Sequence, residues 1–163
     1  NLSARQFRQA DLVRQLVATL ARHQLRPELL ELEITESLAM ENPQGTRAIL
    51  DDAKAVGMRL ALDDFGTGYS SLAYLKGFPV DRLKIDKAFI QDPAIVRAVI
   101  ELARSFRLET VAEGAEDAAV VRLLELLGCD LVQGYYFGKP MPAAEFRAFL
   151  RANRDAPARW GDE

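Results

Sequence analysis

Histidine, cysteine and tryptophan each occur once among these 163 residues. A single histidine, His23, leaves no room for a His-rich zinc site and reads as a surface or helix-end residue. A single cysteine, Cys129, cannot close an intramolecular disulfide, which fits a reducing compartment; within the apolar stretch 126–132 it reads as a buried, inert thiol. No apolar run approaches the roughly 20 residues of a membrane-spanning helix, and Asn1 opens no secretory signal. The expected location is therefore cytoplasmic, with any membrane anchor outside this sequence. A basic excess is missing as well: 21 Lys and Arg stand against 24 Asp and Glu, a net charge of -3. That excludes the electrostatic footprint of a duplex nucleic-acid binder. It does not exclude a phosphate substrate, because bound divalent cations invert the local field.

The chain is 49% hydrophobic and 28% charged, suited to one domain with a real core. Short β-like runs alternate with helical ones. Strands are expected at 30–34, 59–62, 82–85, 110–112 and 131–133. Helices are expected from Pro43 to a stop at Gly57, over 71–76, from Pro93 through Phe106, around Val120–Leu127 before Gly128, and from Pro142 to about Leu150. Asn42-Pro43 supplies a cap and a first-turn proline. Upstream, Val13, Leu16, Val17 and Leu20 make an amphipathic helix with Asp11 as its expected N-cap. Residues 154–163 have little to bury besides Trp160. Repeated βα units imply a parallel sheet with right-handed crossovers, either open and doubly wound or closed into a barrel.

The strand tips decide between these. Glu33 and Glu36 fall at the first, Asp63 and Asp64 at the second, Lys84 and Asp86 at the third, Glu113 and Glu116 at the fourth, and Gln133 on the fifth. In a parallel barrel these positions converge on one mouth, where barrel enzymes keep their active sites; an open sheet spreads them along a line. Crowded carboxylates repel unless they bind protons or share cations, and hard oxygen donors suit Mg²⁺, Mn²⁺ or Ca²⁺ better than thiophilic metals. At a strand end the backbone can turn both Asp63 and Asp64 inward, the arrangement two-metal phosphoester hydrolysis requires. Asp64, Glu36 and Glu116 are equally readable as helix caps or loop anchors, and Lys84 as a structural ion pair. The stretch 63–72 carries Gly66 and Gly68, where the chain can take positive φ, and reads as a turn or a lid.

Together these residues resemble the EAL domain of cyclic-di-GMP signalling. The resemblance rests on Asn1-Leu2-Ser3, Glu33-Ile34-Thr35-Glu36, the run from Asp63-Asp64-Phe65-Gly66 to Leu72, Leu83-Lys84-Ile85-Asp86, Val111-Ala112-Glu113-Gly114 and Gln133-Gly134-Tyr135, in that order. It implies a TIM-like (β/α)8 barrel of class α/β with one antiparallel strand, occupying residues 1–152 ahead of a 153–163 tail. It also implies hydrolysis of cyclic di-GMP to linear pGpG with two Mg²⁺ or Mn²⁺ ions. Asn1, Glu33 and Asp63 correspond to ligands of the first ion, Asp63 and Asp64 to ligands of the second. Lys84 and Glu113 correspond to the pair that positions and deprotonates water, Glu113 being the base. Glu36 corresponds to the residue steadying the 64–71 loop, and Asp86, Glu116 and Gln133 to support or substrate contacts.

The sequence also departs from that family. The early strands, the Glu of the Glu-Ala-Leu motif and a nearby substrate-binding Arg would precede Asn1, which itself corresponds to the end of the third strand. The expectation is that they belong to a longer polypeptide carrying sensory, receiver or GGDEF domains, or are supplied by another copy. The link from Ile85 to Pro93 is shorter than usual in a region that forms the dimer interface of relatives; a homodimer is expected. Ala115 stands where valine is commoner. Three functions remain open: an active phosphodiesterase, a non-catalytic cyclic-di-GMP receptor, and a protein-interaction module.

Overall fold

The computed structural model of the protein describes residues 1–67 and 72–154; the expectations for Gly68, Ser71 and Trp160 lie outside them. Five strands form one sheet: β1 (Glu31–Thr35), β2 (Arg59–Phe65), β3 (Arg82–Ile85), β4 (Glu109–Glu113) and β5 (Leu131–Gln133). Every neighbouring pair is parallel, and the spatial order is the chain order. A doubly wound sheet reverses its order at a switch point; this one does not. With right-handed crossovers, an order that never reverses puts every connecting helix on the same face.

The connecting helices start and stop where local chemistry dictates. In α4 (Pro43–Ala55) the Asn42 side chain accepts from the Gly45 N–H and proline fills the first turn. Before α6 (Pro93–Phe106), Asp92 accepts from the Ala94 and Ile95 N–H groups. Asp117 caps α7 (Ala118–Leu127), which ends on Gly128 at φ 77°. Two short helices escape sequence periodicity: α1 (Ala4–Phe7), closed by a Ser3/Gln6 capping box, and α3 (Glu36–Glu41). In α2 (Leu12–Arg22), Asp11 holds the N-cap position without capping; its carboxylate takes Arg14 instead. The remaining helices are α5 (Leu72–Gly77) and α8 (Ala143–Ala152). His23 is exposed at the end of α2, and Cys129 is buried with its thiol raised in pKa by that burial.

Strand alternation sorts the sheet into two chemistries. Leu32, Ile34, Leu60, Leu62, Leu83, Ile85 and Ala112 join the core with Leu50, Ala53, Val96, Ile100, Ala103, Val121 and Leu124 of α4, α6 and α7. The opposite face carries Glu31, Glu33, Arg59, Ala61, Asp63, Arg82, Lys84, Glu109, Val111 and Glu113. No helix of the described residues is long and apolar enough to cross a membrane.

Candidate active site

Lys84 is the centre of the charged face. Its side chain is 6% exposed, and its Nζ lies 2.6 Å from Glu113 Oε1, 3.0 Å from Glu33 Oε2 and 3.2 Å from Asp63 Oδ1. Burying an ammonium costs several kcal/mol unless it is paired. Here burial works against the charge, but hydrogen bonds to Glu113 and Glu33 and the charges of Glu113 and Asp63 outweigh it, so the ammonium is held above its ordinary pKa. To reach Glu33 on β1, Lys84 must cross β2. The residue beside Glu33 on that strand is Ala61, fully buried and with only a methyl group to obstruct the path.

A β-bulge brings the paired aspartates in. Leu62 pairs with Leu83 and Phe65 with Ile85, so Asp63 and Asp64 together oppose Lys84 alone. An extra residue of this kind re-aims side chains, and Asp64 absorbs it at φ 54°, a conformation aspartate tolerates better than most. The Asp64 carboxyl is pushed up first by burial, then by the charges of Asp63, Asp86 and Glu113. Asp86 faces it while its Oδ1 accepts the Ala88 N–H at 2.8 Å, holding the turn after β3. Glu33, Asp63, Asp64, Lys84, Asp86 and Glu113 therefore share one mouth.

The other expected residues sit around it. Glu36 directly follows β1 and opens α3; it is 1% exposed and accepts the Gly66 N–H at 2.8 Å. Gly66 has φ 94°, and a Cβ there would lie 3.2 Å from the Phe89 ring, so Glu36 and Phe89 bracket the start of the loop after β2. Gln133 pairs in register with Glu113. Gln133 and Glu116 line one cavity of about 850 Å³ with Glu33, Lys84, Glu113, Tyr135, Lys139 and Phe149. Asn1 is exposed beside Glu33, whose carbonyl accepts the Leu2 N–H at 2.8 Å. Among the described residues, no three His, Cys, Asp or Glu side chains enclose a cation site by themselves; the Lys84 ammonium stands where the carboxylates meet.

Sequence reasoning missed three contributors. Ala61 is invisible without the register. Gly134 is required because a Cβ would collide with the Ala115 backbone, whose N–H and C=O bond Gln133 and Tyr136. A second set of charges, Glu31, Arg59, Arg82 and Glu109, lies beneath the first; its signal was the i, i+2 repetition of charge in 31/33 and 82/84.

Comparison with known proteins agrees with this architecture. The chain matches the EAL domain family over residues 1–140. Signaling protein YkoW of Bacillus subtilis is 45% identical over 157 residues, covering 92% of this chain and 20% of that protein. The bifunctional diguanylate cyclase/cyclic di-GMP phosphodiesterase MucR of Pseudomonas aeruginosa is 46% identical over 155 residues, 91% of this chain and 23% of its own length. The solved structure of the PaMucR phosphodiesterase with c-di-GMP aligns at TM-score 0.87, covering 90% of this chain and 62% of that one. BlrP1 of Klebsiella pneumoniae, solved with manganese and cyclic di-GMP, aligns at TM-score 0.76 and 32% identity, covering 83% of this chain and 36% of that one. The chain thus spans about a fifth of the length of the curated relatives it matches, and its sheet is part of a TIM-like (β/α)8 barrel. The chain belongs to the EAL domain family.

Proposed function

We propose that this domain is a metal-dependent phosphodiesterase that hydrolyses cyclic di-GMP to linear pGpG. The observation that carries the reading is charge imbalance at the mouth: Glu33, Asp63 and Glu113 surround one ammonium, Lys84, and Asp64 and Asp86 lie close to those carboxylates. An all-oxygen, net-negative donor set fits hard divalent cations. Glu33, Asp63 and Asp64, with Asn1 at the edge, would hold two Mg²⁺ or Mn²⁺ ions; these would acidify the attacking water and offset charge on the phosphoryl oxygens.

The protein's own groups do the rest. Glu113, whose Oε1 lies 2.6 Å from the Lys84 ammonium, accepts the proton of the attacking water. Lys84 fixes the direction of that carboxylate and places positive charge where negative charge develops on the phosphorus centre. Glu36 steadies the backbone at Gly66 so that Asp63 and Asp64 keep their aim. Asp86, Glu116 and Gln133 support the mouth or touch the dinucleotide. Residues 1–152 would act as the catalytic unit of a longer, cytoplasmic, homodimeric signalling protein, with 153–163 as a tail.

The test is Glu113→Gln, an isosteric change. Turnover to pGpG should fall about 10²- to 10⁴-fold, the usual worth of a general base, while cyclic-di-GMP affinity measured by calorimetry stays within about threefold. Normal hydrolysis by this variant rejects Glu113 as base. If the unaltered protein binds the dinucleotide without turnover, the domain is a receptor; if it does neither, it is an interaction module.

A further inference from the structure

Beneath the Lys84 cluster the same four strands carry a closed ring of charge. Arg82 on β3 reaches Glu31 on β1 through Nη1 at 2.8 Å and Glu109 on β4 through Nε at 2.8 Å. Arg59 on β2 closes the circuit, with Nη2 2.9 Å from Glu109 and Nε 3.9 Å from Glu31. Two cations alternate with two carboxylates, one from each strand, and the ring balances its own charge. The Arg82 and Glu31 side chains are only 20% and 22% exposed.

Each upper residue stands above a ring member on its own strand: Glu33 above Glu31, Asp63 above Arg59, Lys84 above Arg82, Glu113 above Glu109. Two residues of strand, about 6.6 Å, separate the layers on β1 and β3, and four residues, about 13 Å, on β2 and β4, so on β1 and β3 the layers are close enough for one to set the spacing of the other. Guanidinium is a planar fork that engages carboxylates at fixed angles, whereas an ammonium is a point charge that tolerates many. The upper cluster has only an ammonium at its centre. Like-charged Glu33, Asp63 and Glu113 would drift apart around it unless the strands beneath were held.

We infer that Arg82 is a positioning residue for the site above it: through Glu31 and Glu109 it fixes β1, β3 and β4 at the separation at which Lys84 reaches both Glu33 and Glu113. The inference rests on the proposed hydrolysis only for its kinetic consequence; the placement of Lys84 can be read independently.

The experiment compares Arg82→Met, Arg82→Lys and Glu109→Gln with Leu50→Ala, a change in the core on the far face that lowers stability without touching either charged layer. The first readout is the Nζ ¹⁵N signal of Lys84 in lysine-labelled intact protein, assigned by its loss in Lys84→Met. The second is the split between kcat and KM for cyclic di-GMP. Arg82→Met should shift or broaden the Lys84 signal and lower kcat about tenfold or more, with KM within about threefold. Arg82→Lys should recover part of both, and Leu50→Ala should leave the signal in place. If Arg82→Met does not fold, Glu109→Gln gives the same readouts with a smaller expected change. An unmoved Lys84 signal in a folded ring variant overturns the inference, whatever turnover does. A moved signal with unchanged kcat upholds the positioning and removes Lys84 from the chemistry. A parent protein without turnover sinks the hydrolase reading alone, since the signal still decides the placement.

Discussion

The two charged layers of the sheet use the same four strands and reach opposite electrostatic solutions. The lower layer pairs two guanidiniums with two carboxylates and closes on itself. The upper one sets a single ammonium against Glu33, Asp63 and Glu113, with Asp64 and Asp86 close by, and stays in deficit. A satisfied ring needs nothing further and serves as structure. The unsatisfied cluster keeps a surplus of negative charge, and the proposed metal site rests on that surplus.

The comparison breaks most sharply at Lys84. Lys84→Met leaves three partly buried carboxylates without a counter-charge, and stability in urea should fall by about 3–5 kcal/mol in the absence of divalent ions, as for other broken buried pairs. A loss under about 1 kcal/mol would mean the upper layer already tolerates its deficit. Cation binding offers a second contrast. Mn²⁺ at a hundredfold excess over its dissociation constant should stabilise the protein by about 2.7 kcal/mol, visible as a rise in Tm. Asp64→Asn should remove most of that rise while Glu109→Gln keeps it; equal rises in both variants would show that the ion is not held by the upper layer.

The smallest effect belongs to acid. Hydrogen bonding to Arg82 is the largest influence on Glu109 and, with the charges of Arg82 and Arg59, holds its carboxyl below the usual 4.5. A depressed folded-state value stabilises the protein above the unfolded-state pKa, and that contribution is lost as pH falls through the folded value. Half of the Glu109 side chain is exposed, which keeps the contribution small. Between pH 6 and pH 3 the urea midpoint should fall slightly less in Glu109→Gln than in the parent; an identical fall removes Glu109 from the linkage.

Much of this was legible in the residues because caps and stops act locally. Asn42-Pro43, Asp92-Pro93 and Gly128 mark helix ends through bonds spanning a few positions, and β3 and β5 fall where their composition places them. The acidic tips were legible because they repeat at βα intervals. What escaped depends on register. β2 runs three residues past its expected end because the bulge lets it keep pairing with β3, and the role of Ala61 exists only because Glu33 lies beside it and Lys84 crosses above. Glu36 does follow β1 as its place in the sequence suggests, but nothing at Thr35 announces that α3 begins at once; the Thr35 hydroxyl caps that helix by accepting the Leu38 N–H.

The additional residue in β2 also shifts the phase of everything that follows. Uninterrupted alternation would turn Asp64 toward the helices and Phe65 toward the charged face. With the insertion, Phe65 joins the apolar core while Asp64 stays among the other acids. Deleting one aspartate would leave a single residue opposite Lys84 and restore regular alternation, with Phe65 still in the core and one carboxylate lost from the charged face; the bulge is what lets two acids stand where a regular strand would present one.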